Sequence, residues 1–416
     1  MKSSFQPRGS TGALLAGIAA LTLSTLLLAG CGDVYRPVAN PEPQPGGDPQ
    51  AMHLAVVVNN NNGGPGTTTQ VDVSGDTNLA NFAVGRSPVH AAAISVLGAY
   101  VVNKADDTVS AYVPSQSGGP VTTITLPAGA APVFAVYASG SVYVAGANPG
   151  ACGPVATVGG CVYIISGSTN VLAAAIPAGR NPVALAATPD GKFVYVVNQG
   201  DNTVTPITTS PLTVGAPIAV GTSPMWAAAK SDGSTVYVAN QGSNNVSVID
   251  VASNTVTATL AVGAGPRFVT YDNRLRRLYV ANTGGNTITV FNADQNPPPA
   301  APLGTVTVGS NPTTISPLAD GSRAYVSNAG CVDRLDLTLA CTGNTVSVVD
   351  ASSLTLRKNV TVGAGPVWLA SSPDSIRVEV VNRDSNNISS IRTSDDTVVN
   401  TLPAASPTPV FVAITP

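Results

Sequence analysis

From about residue 52 onward, short apolar runs of four to seven residues alternate with clusters of Gly, Asn, Asp, Ser and Pro. That pattern predicts many short strands separated by tight turns, and leaves no room for helices in the body of the chain. The pattern is periodic. One segment runs from Ala178 through "NPVALAATPDGKFVYVVNQGDNTVTPI", the next opens at Val220 with "GTSPMWAAAKSDGSTVYVANQGSNNVSVID", and a third opens at Val262 with "GAGPRFVTYDNRLRRLYVANTGGNTITVF". Their opening prolines, Pro182, Pro224 and Pro266, stand 42 residues apart, and further copies place theirs at Pro88, Pro132, Pro312, Pro366 and Pro409.

Each copy reads as four antiparallel strands. A Gly-x-x-Pro turn opens it, because proline fixes φ and cannot donate to a ladder at a strand's first residue. An apolar strand follows, then a turn such as Asp190-Gly191, Asp232-Gly233 or Asp320-Gly321. The second strand is the most regular: Tyr100 to Asn103, Tyr195 to Asn198, Tyr237 to Asn240, Tyr279 to Asn282 and Tyr325 to Asn328 all read Tyr-Val-x-Asn. A third strand such as Val246 to Ile249, and a fourth, lead to the next Gly-x-x-Pro. Four such strands per unit of about 42 residues predict one blade of an all-β propeller.

The recurring Tyr-Val-x-Asn strand, Asp-Gly turn and Gly-x-x-Pro boundary resemble the YVTN-repeat family of β-propellers over nearly the whole chain after residue 52. Departures are local: Gly146 replaces the Asn in one copy, Glu379 replaces the Tyr in another, and Ala55 to Asn59 form a Tyr-less copy. That last copy lacks a first strand, whereas Pro409 to Pro416 is a first strand with nothing after it. The two chain ends are therefore expected to complete one blade and close the ring, which removes exposed sheet edges. Eight blades result; seven is the alternative, since the copy from Ala128 is the least regular. The domain plan is residues 1–30 as a signal segment, 31–51 as a tether and 52–416 as the propeller.

The N-terminus carries a different pattern. Lys2 and Arg8 precede an uncharged apolar run, Ala13 to Ala29, that ends in Leu28-Ala29-Gly30-Cys31. The layout is that of a secretory signal, short for a membrane span and without a basic flank after it. Its last four residues resemble the lipobox of bacterial lipoproteins. The resemblance implies cleavage before Cys31 and acylation of that residue, so that the lipid bilayer is a partner through several acyl chains. Gly32 in place of Asp favours the outer membrane on the same resemblance. Gly32 to Gln50, with the run Pro41 to Gly47, is an extended tether.

Setting Cys31 aside leaves Cys152, Cys161, Cys331 and Cys341, two close pairs in the second-to-third-strand connections of the two longest repeats. Disulfides Cys152–Cys161 and Cys331–Cys341 are expected in an oxidising compartment. Four thiolates on one metal are not, because the pairs fall in repeats about four blades apart. Both loops are expected on the face carrying the Gly-x-x-Pro turns, either as recognition elements or as tolerated insertions.

Charge narrows the function classes. Charged residues make up only 10% of the chain and the net charge is −3, which gives no field to steer nucleic acid. The one basic cluster, Arg267 with Arg274, Arg276 and Arg277, has no interleaved aromatics for single-strand binding. Only two histidines occur, and haem-attachment, phosphate-loop, nucleophile-elbow and zinc-protease motifs are missing. Asp106-Asp107 and Asp395-Asp396 lack the rest of a calcium loop. No catalytic residue, metal or cofactor is therefore assigned.

One position does stand out. Two residues after each opening proline lie His90, Phe134, Ala184, Trp226, Phe268, Thr314, Trp368 and Phe411, matched points on the innermost strands. With Arg267 beside them, these rings are either a stacking site at the channel mouth or packing between blades. The repeated Asn is expected to cap a turn. The resulting expectation is a membrane-anchored envelope lipoprotein, a non-catalytic scaffold for a protein or polysaccharide partner. The alternatives, implied by the resemblance, are an enzyme of lactonase or lyase type or a subunit of a periplasmic redox complex.

Overall fold

The computed structural model describes residues 53–74, 76–94, 98–114, 119–148, 152, 159–333 and 335–415. The expected signal segment, Cys31 and the tether lie outside the described residues.

The innermost strands begin at the opening prolines of the repeats: Pro88–Ile94, Pro132–Ala138, Pro182–Ala187, Pro224–Ala229, Pro266–Asp272, Pro312–Pro317, Pro366–Ser371 and Pro409–Ile414. Each belongs to its own antiparallel sheet of four strands; the sheet built on Pro182–Ala187 carries a short extra strand because its outer strand is broken. Each innermost strand packs beside the next, and Pro409–Ile414 packs beside Pro88–Ile94, so eight blades close a ring. The first blade is composite. Its outer three strands, Leu54–Asn59, Pro65–Asp72 and Thr77–Arg86, come from the start of the described chain, and its inner strand comes from the end. Val57 pairs with Val412 and Val58 with Phe411 across that junction. The second to eighth blades follow in sequence order over residues 88–125, 132–177, 182–219, 224–261, 266–307, 312–361 and 366–403.

The second strands supply the core. Val236, Tyr237, Val238 and Ala239 are fully buried, as are their counterparts in neighbouring blades, because both faces of each sheet are covered by the sheets on either side. That is why these strands read as continuous apolar runs.

Their terminal Asn has a more specific task than the expected cap. The Asn282 amide Nδ2 donates to Thr287 Oγ1 at 3.0 Å and Thr289 Oγ1 at 2.9 Å, so it ties the second strand to two side chains of the third. Asn103, Asn198, Asn240, Asn328 and Asn382 repeat the contact with Thr, Ser or Asn partners. The Gly of the Gly-x-x-Pro turn lies directly on this amide in six blades, at Gly85, Gly179, Gly221, Gly263, Gly309 and Gly363, but not at Gly129, whose blade has Gly146 in place of the Asn. A Cβ on Gly263 would sit 2.7 Å from Asn282 Nδ2, and one on Gly309 2.5 Å from Asn328 Cγ. Glycine is required there by close approach rather than by its φ. We expect Gly263→Ala to destabilise the protein by about 1–3 kcal/mol through overpacking, read as a lowered denaturation midpoint with unchanged slope.

Blades are fastened to one another by the tyrosines. The Tyr195 hydroxyl donates to Asn254 Oδ1 at 2.7 Å and the Tyr100 hydroxyl to Asn170 Oδ1 at 2.6 Å. In both cases the acceptor is the left-handed residue of the outer hairpin turn in the next blade. Where that turn residue is Leu354, the Tyr279 hydroxyl has no partner, and Arg277 instead donates to the Ala351 carbonyl. Two more arginines at the same strand position act alike: Arg323 pairs with Asp396 at 2.6 Å, and Arg377 with Asp76 at 3.1 Å. The basic cluster therefore divides. Arg277 clamps two blades, and Arg276 forms an exposed pair with Asp294 at 3.1 Å.

Candidate functional site at the channel mouth

A β-bulge follows every opening proline. In each innermost strand the pairing register shifts between the proline and the second residue after it, as between Pro224 and Trp226 or Pro366 and Trp368. A bulge bends the strand and redirects the next side chain, and here it gives all eight blades one matched position at the ring's axis.

The structure brings the six rings together. His90 stacks on Phe134, centroids 3.9 Å apart, and meets Phe411 in a tilted contact at 4.2 Å. Trp226 meets Phe134 and Phe268, each at 5.0 Å, and Trp368 meets Phe268 at 5.6 Å and Phe411 at 4.9 Å. The circuit also closes across the ring, with Trp226 and Trp368 5.4 Å apart. Ala184 and Thr314, the two small members, are spanned by the larger rings of their neighbours. These separations and tilted geometries are those of favourable aromatic pairs, worth about 0.5–1.5 kcal/mol each beyond burial. His90, Phe134, Phe268, Trp368 and Phe411 are buried and Trp226 is half-buried. The rings fill the space they surround. His90 Nδ1 also accepts the Ala135 N–H at 3.4 Å.

Arg267 is the bulge residue of its strand and engages the loop that follows Cys331. It donates to the Val332 carbonyl and lies 3.9 Å from the Asp333 carboxylate; burial pulls its pKa below the ordinary guanidinium value, with Asp333 opposing. Val332 and Asp333 belong to the loop closed by the Cys331–Cys341 disulfide. The other disulfide, Cys152–Cys161, closes the corresponding connection in the third blade, four blades round the ring. Both loops adjoin the ends of second strands that pair with the opening prolines, so both rise on the face where the innermost strands start.

Two residues that the sequence did not single out complete this region. Arg383, only 2% exposed, donates to the Asp336 carbonyl at 3.0 Å and to the Leu339 carbonyl. Its Nε donates to Asp384 Oδ1 at 2.7 Å, and Asp384 Oδ2 accepts the Cys341 N–H at 2.6 Å. The one available signal was the charged pair directly after Asn382, where the fourth and fifth blades carry Gln-Gly. The loop is thus gripped by Arg267 from the sixth blade and Arg383 from the eighth. Leu335 packs against the core containing Phe268, Trp368 and Phe411, and against the core of the second and third blades. It therefore lies over the mouth. Val332, Leu337 and Leu339 point outward, 48%, 37% and 44% exposed. Among the described residues, no group of three His, Cys, Asp or Glu side chains is placed to hold a metal ion.

The chain is an eight-bladed β-propeller. The family model for lactonases of the seven-bladed β-propeller type matches residues 165–262 and 222–317, which is less than half of the chain. Hydrazine synthase of Kuenenia stuttgartiensis is 20% identical with a TM-score of 0.55, covering 74% of this chain and 96% of that one. Dihydro-haem d1 dehydrogenase NirN, in complex with DHE, is 15% identical with a TM-score of 0.69, covering 91% and 78%. Apo AztD from Citrobacter koseri is 11% identical with a TM-score of 0.60, covering 87% and 98%. At these identities the likeness is one of fold. No curated protein matches the sequence.

Because the rings support one another, truncating one should cost more than its own burial. We expect Trp368→Ala to lower stability by about 3–5 kcal/mol in chemical denaturation, through the void left on the axis.

Proposed function

We propose that this protein is a lipid-anchored propeller of the bacterial envelope that binds a protein partner through its stapled-loop face and performs no chemistry. The observation that carries the binding reading is the loop Cys331–Cys341. It presents three outward aliphatic side chains while a disulfide, two arginines and Asp384 hold its backbone. A stiff apolar projection loses little freedom on docking, which is where affinity is gained. A polysaccharide is the poorer fit, since the axial rings that sugars would stack on are spent on each other.

The chain's geometry agrees with anchoring through Cys31. Leu54, where the propeller's first strand begins, pairs near the end of Pro409–Ile414, whereas the loops lie near the prolines that start the innermost strands. A tether joined at Leu54 leaves from the face opposite the loops, which points them away from the lipid. Two disulfides favour an oxidising compartment outside the cytoplasm. No helix among the described residues is long and apolar enough to cross a membrane.

The lactonase match favours a second reading, catalysis at the mouth. The matched residues bring Ala184, Trp226, Phe268 and Thr314 to the axis, and Arg267 is engaged by the loop. Arg267 and Asp333 are engaged in holding the loop, so binding is preferred.

Cys31→Ala is expected to move the protein from the membrane to the soluble envelope fraction and to abolish labelling with a fatty-acid probe. Membrane retention of the variant would refute the anchor. A photoreactive residue at position 337 should trap one defined protein in intact cells, and the same residue at the exposed rim position Val171 should not. Leu337→Asp with Leu339→Asp should weaken capture about tenfold or more at an unchanged melting temperature. Equal capture from both positions would count against the loop face.

A further inference from the structure

We propose that the seam where the ring closes, between the eighth blade and the composite first blade, is a pH-operated latch whose moving part is Glu379. In the second to seventh blades the matching residue is a tyrosine: Tyr100, Tyr143, Tyr195, Tyr237, Tyr279 and Tyr325. In the eighth it is a carboxyl group with no exposed surface. Glu379 Oε1 lies 2.8 Å from Ser390 Oγ, and Ser390 Oγ lies 2.7 Å from Asp76 Oδ1 in the outer hairpin turn of the first blade. Asp76 is where the last blade meets the first. It also takes the Arg377 guanidinium at 3.1 Å, and its backbone carbonyl accepts from Asn400 Nδ2 at 2.6 Å.

Counting protons settles how the relay works. A serine hydroxyl has one proton to donate, so it cannot satisfy two ionised carboxylates. With Asp76 ionised against Arg377, both Ser390 contacts are satisfied only when Glu379 carries a proton and donates it to Ser390, which then donates to Asp76. The charged groups facing Glu379 are Asp76 across the seam and Arg377 on its own strand. Burial is the largest influence and pushes the Glu379 carboxyl up to about 8; Asp76 adds to this, while Ser390 and Arg377 oppose it. When Glu379 ionises, one carboxylate loses its donor and a second buried negative charge faces Asp76. The strain falls on the contact between the eighth blade and the outer, N-terminal strands of the first.

The neighbouring seam is a built-in control. Between the seventh and eighth blades, Arg323 pairs with Asp396 at 2.6 Å as Arg377 does with Asp76, but Tyr325 donates its hydroxyl to Asp396 at 2.5 Å. That phenol's pKa is raised far above neutrality, chiefly by burial, so it keeps its proton through pH 8.

The sign follows from the raised value. Folding holds the proton more tightly than the unfolded chain does, so this stabilisation is complete below about pH 4.5. It is then lost as pH rises through about 8. The test compares the full-length protein with Glu379→Gln by chemical denaturation from pH 5 to pH 9. Glutamine keeps a donor and cannot ionise. The ratio of the two folding equilibrium constants should move in favour of the variant by up to about tenfold per pH unit, levelling off near pH 8. In the wild type, amide protection at Val56 to Val58, corrected for intrinsic exchange, should fall over this range. Protection at the Tyr195–Asn254 seam should not. Parallel pH profiles for the two proteins, or equal loosening at both seams, would overturn the latch. If Glu379→Gln does not fold, Glu379→Tyr, which copies the Tyr325–Asp396 contact, must remove the same pH dependence.

Discussion

Ring closure is the constraint on which the rest of this molecule depends. Eight sheets bury both of their faces only if each has a neighbour on either side, and an open row would leave two apolar faces bare. The chain meets this by letting Pro409–Ile414 pair with Leu54–Asn59, so that residues more than three hundred apart in sequence form one blade. Everything between them is held in place by that pairing: the tyrosine fasteners, the arginine clamps and the axial rings. The last three seams round the ring, the closing one included, are also those reinforced by Arg277, Arg323 and Arg377.

The same closure creates the axis. Bulges after the prolines send one side chain per blade inward, and eight blades leave a space that six rings can fill. At the mouth, the rings are engaged with one another, and the stapled loop lies above them. The Cys331–Cys341 loop is placed over the rings by Leu335 and fixed by guanidinium groups from the blades on both sides. Its aliphatic residues are consequently presented outward on a nearly rigid backbone, the arrangement expected of a docking element.

Short-range and long-range contributions separate residue by residue. Periodicity alone predicts the start of each innermost strand, the Tyr-Val-x-Asn second strand and the composite blade, because local turn chemistry sets them. The Gly-x-x-Pro boundary, the Asn amide beneath its Gly and the Asp-Gly turn all act over short distances along the repeat. Both disulfides were legible for the same reason, their cysteines lying in one loop each. Blade number was nearly so, with the irregular third blade, where Gly146 replaces Asn, as the source of ambiguity.

What only the tertiary structure decided involves partners in different blades. The eight matched positions could be aligned from sequence, but whether their side chains met each other or the adjacent sheets depended on the ring's diameter and on the bulges. Arg383 and Asp384 directly follow the second strand in sequence, and only the fold sets them beneath a loop from the seventh blade. Glu379 looked like a lost tyrosine; its meaning lies in Ser390 and in Asp76, about three hundred residues away. Sequence therefore determined the blade, because hydrophobic alternation and turn geometry are short-range. Tertiary structure determined the seams, the axis and the loop, because hydrogen bonds and ring contacts depend on distances that no single repeat contains.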